Sequence, residues 1–411
     1  MRNFSYCNPT RILFGAGQIA SLSQLIPADS RVLVTHGGGS ILQNGVWQQV
    51  EQALAGHRIS RFAGIEANPQ YTTLLRAVDQ ARREHCDFIL AVGDGAVIDG
   101  SKFIAAALPY PGEPFDLLSG TPIRRALPLG CVATLASSGS ECSPHGVLCH
   151  ADLQVRLGYG SPCLQPRFAI LDPCSAFSLP PRQIGNAVVT SFVHTLEHYL
   201  SYAEDTPLQE RQAESLLLTL IEEGPKALAD PSDYASQANL MWCASQAHSG
   251  LLGCGAAPVA GLDPLARQLS LLYHLDHGQS LAVLLPALLA EYADQHPRQL
   301  LRYAGQVWGL HRGAPQQRVS AAIGATAGFF QRMGLATRLS AHGLDAEAVA
   351  EILAQLQRRD SRGEPPGIDF QASERILLRA LREPSAELLR HAGGPSPWRG
   401  PAVLYSLAAA E

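Results

Sequence analysis

The chain has 411 residues, 46% hydrophobic and 16% charged, with a formal net charge of -5. That length and apolar content suit about two cored domains. The weak negative charge gives no footing for nucleic acid or an anionic membrane as partner, and no run reaches the roughly 18 apolar residues of a membrane span. In chain order, Arg31–Thr35 reads as a short strand and ends at Gly37-Gly38-Gly39-Ser40. The amphipathic stretch Val46–Leu54 follows it. Phe88–Val92 is a second buried strand, ending at Gly93, and Val97–Leu108 reads as a helix. Leu127–Thr134 and Phe168–Leu171 are further strands. Strands alternating with helices predict an α/β domain with a Rossmann-like parallel sheet. Ligands then bind at the carboxyl ends of the strands, where the Gly-rich turns sit.

The pattern changes near Leu179-Pro180-Pro181. Beyond it apolar residues recur at helical spacing over Asn186–Tyr202, Gln209–Leu228, Tyr234–Leu252, Leu265–Tyr273, Leu281–Tyr292, Gln317–Met333 and Ala346–Arg358. This predicts an all-α C-terminal domain. The expected division is 1–180, 181–392 and a Gly/Pro-rich tail over 393–411. Nine cysteines lie singly and form no CxxC pair, which argues against a zinc ribbon or a disulfide framework. Met1–Thr10 is polar and lacks an apolar signal core, so the expected location is cytoplasmic.

Three turns follow strands and precede helices. They are Gly38-Gly39-Ser40, Gly93-Asp94-Gly95-Ala96 with Asp99 and Lys102 beyond, and Ser137-Ser138-Gly139-Ser140-Glu141. Backbone N–H groups at such turns can face a phosphate. Each turn taken singly is also ordinary βα loop chemistry.

The ordered set Pro9–Gly17 (PTRILFGAG), Gly37–Ser40, Asn68-Pro69, Asp99–Ala105 (DGSKFIA), Gly139-Ser140-Glu141, Leu171-Asp172-Pro173, Leu179–Gln183 (LPPRQ), Phe192–Glu197 (FVHTLE) and Asp276–Pro286 (DHGQSLAVLLP) resembles the iron-containing alcohol dehydrogenase family. Its superfamily includes dehydroquinate synthase, and the nearest branch is the NADP-dependent aldehyde reductases and butanol dehydrogenases. The likeness runs from residue 1 to about 385. It implies the family fold, a small-molecule substrate, a homodimer, and a cofactor site at Gly38, Gly39, Ser40, Gly93, Asp94, Gly95, Ala96, Asp99 and Ser138. NAD-preferring members often carry an Asp at the first turn. Its absence here implies NADP(H), and Arg156, where relatives often have Lys, is a candidate phosphate partner.

The chain departs from the family pattern at two places. The pyrophosphate loop of the family reads Gly-Gly-Gly-Ser, whereas Asp94 and Ala96 stand in it here. A carboxylate 4 Å from a phosphate costs about 1 kcal/mol in water and about 4 at an effective dielectric of 20. Pointed into the loop, Asp94 weakens binding by roughly one to three orders of magnitude; pointed outward, it costs little. The family's metal ligands, an Asp, a His four residues on and two later His, correspond to Thr190, His194, Asp263 and His277. A family His tied to proton transfer corresponds to Arg267.

Three readings follow for a divalent ion such as zinc or iron. His194, His277 and Asp263 still hold one; or the site has slid a turn to His198 and His274; or it is metal-free and Arg267 supplies the positive charge. Each residue also has a bland role: Asp263 before Pro264 as a helix N-cap, His198 packed against Tyr199, Thr190 filling space. Phe192, His248 and Cys254 are expected to shape the substrate cleft. The functional expectation is an NADP-dependent alcohol dehydrogenase or aldehyde reductase with Arg267, His277 and His194 as catalytic groups. The alternatives are a non-redox enzyme acting on an anionic small molecule, and a catalytically silent homologue.

Overall fold

Short β-branched and aliphatic runs separated by Gly-rich turns build the first half of the computed structural model, which describes residues 1–381 apart from 136, 154, 203–204, 257–260, 294 and 361–367. The expected tail over 393–411 lies outside the described residues. The order is β1 (Arg11–Phe14), the single turn α1 (Leu22–Leu25), β2 (Arg31–His36), the single turn α2 (Ser40–Gln43), α3 (Val46–Ala53), β3 (Arg58–Ala63), α4 (Tyr71–Arg83), β4 (Phe88–Gly93), α5 (Gly95–Ala107), β5 (Leu129–Ala133), β6 (His145–His150), β7 (Val155–Gly160) and β8 (Phe168–Leu171).

Six strands form one sheet in the order β1-β8-β5-β4-β2-β3, and every pairing is parallel. Val34 pairs with Leu90 and Gly93 with Ala133, so the β2, β4 and β5 turns open at one end of the sheet. Separate apolar cores cover the two faces: Leu74, Val78, Phe103 and Ile104 on one, Val46, Val50 and Leu22 on the other. This two-sided burial is why β4 and β5 read as continuous apolar runs. α4 and α5 approach closely enough that a Cβ on Gly100 would sit 2.7 Å from Leu74.

β6 and β7 form a separate antiparallel hairpin with Cys149 opposite Arg156. The hairpin is latched to α5. Lys102, fully buried, donates from Nζ to the His145 carbonyl at 2.6 Å and lies 3.6 Å from Asp99 Oδ1. Asp99 Oδ2 accepts from the Val147 N–H at 3.0 Å, and Tyr159 Oη donates to the Asp99 carbonyl.

From Pro181 the chain is helical: α6 (Pro181–Leu200), α7 (Pro207–Ala229), α8 (Tyr234–His248), α9 (Asp263–Tyr273), α10 (His277–Tyr292), α11 (Pro297–Gln306), α12 (Pro315–Arg332), α13 (Ala346–Asp360) and α14 (Phe370–Leu381). Pro at the first position sets the start of α6, α7, α11 and α12. One apolar core joins these helices, with Phe192 of α6 packed 5.4 Å from Phe329 and 5.5 Å from Phe330 between ring centroids. Phe192, expected to shape the cleft, is therefore a core residue. Among the described residues, no helix is long and apolar enough to cross a membrane.

Candidate active site

The turns after β4 and β5 meet at the end of the sheet. A Cβ on Gly95 would fall 2.0 Å from Ser138 Oγ, so only a glycine permits this approach. The third turn reaches the helical half. Gly139 has φ 63°, and a Cβ there would lie 1.9 Å from His248 Cβ at the end of α8. Replacing Gly139 with alanine combines left-handed strain of about 1–2 kcal/mol with a backbone-level clash. The expected result is a melting temperature lower by several degrees, read by circular dichroism.

Asp94 settles into neither orientation weighed from the sequence. It is the N-cap of α5, and its Oδ1 accepts from the Val97 N–H at 3.2 Å. Burial pushes its carboxyl up from the ordinary range, against the backbone N–H groups of Val97 and Ala96 that stabilise its charge. The helix terminus that would receive a pyrophosphate already carries an acceptor from the chain itself. Gly38, Gly39, Ser40, Gly93, Asp94, Gly95 and Ala96 stand at the strand ends but do not line the main cavity.

That cavity, about 820 Å³, opens between the sheet turns, the β6–β7 hairpin and the helical half. Asp99, Ser138, Arg156, Thr190, His194, Asp263, Arg267 and His277 all line it. So do His145, Ser140, Glu197 and His248. Asp99, expected at the cofactor, holds the hairpin and Lys102 in the ways described above. Cys254 does not line the cavity; its carbonyl accepts from Gln209 Nε2 at 3.1 Å.

Gly278 of α10 packs on the α6 backbone, where a Cβ would meet the Asn186 carbonyl at 2.5 Å. This close crossing brings His277 beside His194, their rings 6.0 Å apart and tilted by 22°. His248 lies edge-on to His194 at 4.6 Å. His194 Nδ1 is 3.3 Å from Glu197 Oε2, one turn on, and Glu197 Oε1 accepts from the Leu262 N–H at 2.6 Å. Glu197 thus ties His194 to the start of α9. The His–Glu spacing of three on α6 was the available sequence signal for it.

The imidazoles differ in basicity. Burial works against charge on His194, but the hydrogen bond and charge of Glu197 win and raise its pKa. Burial, with the charges of His194, Arg156 and Arg267, brings His277 down to about 4. Burial, helped by the charges of His194 and His198, takes His248 well below the ordinary range.

Asp263 is not a cap. Leu262 is the N-cap of α9, and Asp263 is its first residue, ion-paired to Arg267 one turn on. Burial would raise its carboxyl, yet the charges of Arg267, His277 and Arg156 hold it below the usual range. Arg267 Nε is buried without a partner. His198 packs its ring 3.5 Å from the Cβ position of Gly253, and His274 is exposed at the left-handed end of α9 with φ 56°.

The donor set does not fit a divalent ion. Of the four family ligand positions, Thr190 brings no charge and Asp263 is engaged by Arg267, which leaves only the two imidazoles of His194 and His277. Among the described residues no group of three or more His, Cys, Asp or Glu side chains is gathered to hold a metal. The strand-end turns do fit a dinucleotide: Gly95 and Ser138 form a cradle that a Cβ would fill, with Asp94 the discordant charge.

Comparison with known proteins agrees with this architecture. The description "Iron-containing alcohol dehydrogenase" matches residues 9–173, and that of the C-terminal part of the Fe-containing alcohol dehydrogenase family matches 186–369. The chain is 45% identical to the NADPH-dependent aldehyde reductase YqhD of Escherichia coli (strain K12), over 92% of this chain and 99% of that protein. It is 33% identical to NADP-dependent alcohol dehydrogenase 3 of Entamoeba histolytica, over 92% of this chain and 98% of the relative. The crystal structure of Escherichia coli YqhD superposes with a TM-score of 0.88 at 44% identity, covering 92% of this chain and 99% of that one. The chain belongs to the iron-containing alcohol dehydrogenase family.

Proposed function

We propose that the protein is an NADPH-dependent aldehyde reductase that works without a metal, with Arg267 as the electrophile. The single observation carrying the metal-free part is the Asp263–Arg267 pair, which places a guanidinium and its counter-ion in the wall of the cavity beside His277. The printed activities of the relatives support the redox part. NADPH, when bound, supplies a hydride with its electron pair to the carbonyl carbon.

Gly93, Gly95 and Ser138 would hold the phosphates, and the absence of an acid at Gly38, Gly39 and Ser40 would leave room for a 2′-phosphate. Arg267 polarises the carbonyl oxygen and stabilises the negative charge that grows on it. His194, steadied by Glu197, hands that oxygen its proton, and His277 remains a neutral hydrogen-bonding neighbour. The product is an alcohol, with one hydride and one proton gained.

Absorbance of NADPH in the presence of short aldehydes tests this directly. After dialysis against a strong chelator, the rate is expected to change by less than about twofold, and added zinc or iron is expected to restore nothing. A rate that collapses on chelation and returns with metal would overturn the metal-free mechanism. A homodimer, implied by the family resemblance, is also proposed and is tested by the solution mass.

A further inference from the structure

The cavity is lined by two guanidinium groups, Arg156 and Arg267, and by three carboxylates, Asp99, Glu197 and Asp263. Arg267 has Asp263 as partner. Arg156, on β7 in the cavity lining, makes no ion pair among the described residues. Burial and the Arg267 charge lower the pKa of Arg156, against the opposing charges of Asp263 and Asp99. Asp263 serves both but contacts only Arg267. Asp99, the other nearby carboxylate, is engaged by Lys102 and the Val147 N–H. His194 is matched by Glu197. Arg156 therefore feels the charges of Asp263 and Asp99 but makes a direct ion pair with neither, and it is held on a hairpin that is latched to α5.

A guanidinium is shaped for a carboxylate, which it grips through two parallel hydrogen bonds. Leu157, Leu265, Leu356, Ile368 and Phe370 add an apolar surface to the same cavity, suited to a short methylene chain.

We infer that Arg156 is a specificity residue that clamps a carboxylate on the substrate, so the preferred substrate is a short aldehyde with a carboxylate at its far end. The inference rests on the reductase reading, with Arg267 at the carbonyl and Arg156 at the anion.

The test compares 4-oxobutanoate with butanal, which matches it in chain length but carries no charge. In the wild type kcat/KM is expected to favour 4-oxobutanoate. In Arg156→Gln the ratio of the two kcat/KM values is expected to fall by about 10- to 100-fold, the range for losing a charged hydrogen-bonded pair. Arg156→Lys, which keeps the charge but not the fork, is expected to fall between. An equal kcat/KM for the two aldehydes in the wild type, or an unchanged ratio in Arg156→Gln, overturns the clamp.

Calorimetry with succinate needs no turnover and separates this inference from the reading beneath it. Succinate binding that is present in the wild type and weakened at least 10-fold in Arg156→Gln supports the clamp even where neither aldehyde is reduced. No succinate binding to the wild type overturns it.

Discussion

Arg267→Ala is expected to lower kcat/KM for aldehyde reduction by about 10²- to 10³-fold, the usual loss when one preorganised donor to a developing oxyanion is removed. The NADPH dissociation constant is expected to stay within about twofold, because Arg267 lies on α9 and not in the phosphate turns. Millimolar guanidinium in the assay is expected to restore part of the rate, and methylammonium less. Equal rescue by both would point to charge alone, and a rate insensitive to the substitution would remove Arg267 from the mechanism. The double variant Arg267→Ala/Asp263→Asn guards against misreading a folding defect, since it leaves no lone carboxylate.

The single variant also carries a stability signature. Asp263 has its native pKa lowered, so its ion pair contributes stability above the unfolded carboxylate pKa, and that contribution is lost as pH falls through the lower native value. The stability gap between wild type and Arg267→Ala is therefore expected to be full at neutral pH and to close in acid. Urea unfolding at several pH values measures it.

Asp94→Ser is expected to tighten NADPH binding by about 10- to 100-fold. Serine still caps α5 by accepting from the Val97 N–H, so the helix start is kept while the charge is removed. A carboxylate near a phosphate costs about 1–4 kcal/mol between the water and partly screened limits, which spans that range of affinity. Asp94→Asn, nearly the same shape, is expected to gain a similar amount. Dissociation constants equal across Asp94, Ser and Asn would show that the carboxylate does not face the phosphates.

Much of this was legible in the residues. The buried strands β2, β4, β5 and β8 announced themselves as β-branched or aliphatic runs, and the shift to helical spacing at Pro181 coincides with the start of α6. β3 did not, because its RISRFA alternates charge with apolar residues and lies at the sheet edge. β6 and β7 were missed for a related reason. A hairpin standing off the main sheet carries His145, Arg156 and Gly158 in place of a hydrophobic run.

At the site, Thr190, His194, Asp263, Arg267 and His277 were found by position and share one cavity. What they do to one another was less visible. Asp263 and Arg267 are four apart on one helix, a readable ion-pair spacing that the ligand reading obscured. Glu197 entered only as the last residue of the FVHTLE run, without a role of its own. The role of Asp94 could not be chosen from sequence, since facing into the loop and facing outward fit the same letters, and capping was a third arrangement.

The latch between α5 and the β6–β7 hairpin has a geometric consequence. The first residues of α5 form the phosphate turn, and Asp99 and Lys102, one and two turns further along, carry the hairpin that bears Arg156. A helix rises 1.5 Å per residue, so Asp94 and Lys102 are spaced about 12 Å apart by a rod of fixed pitch. α5 thus acts as a ruler: it fixes the distance between the phosphate turn at its start and the hairpin latched further along it.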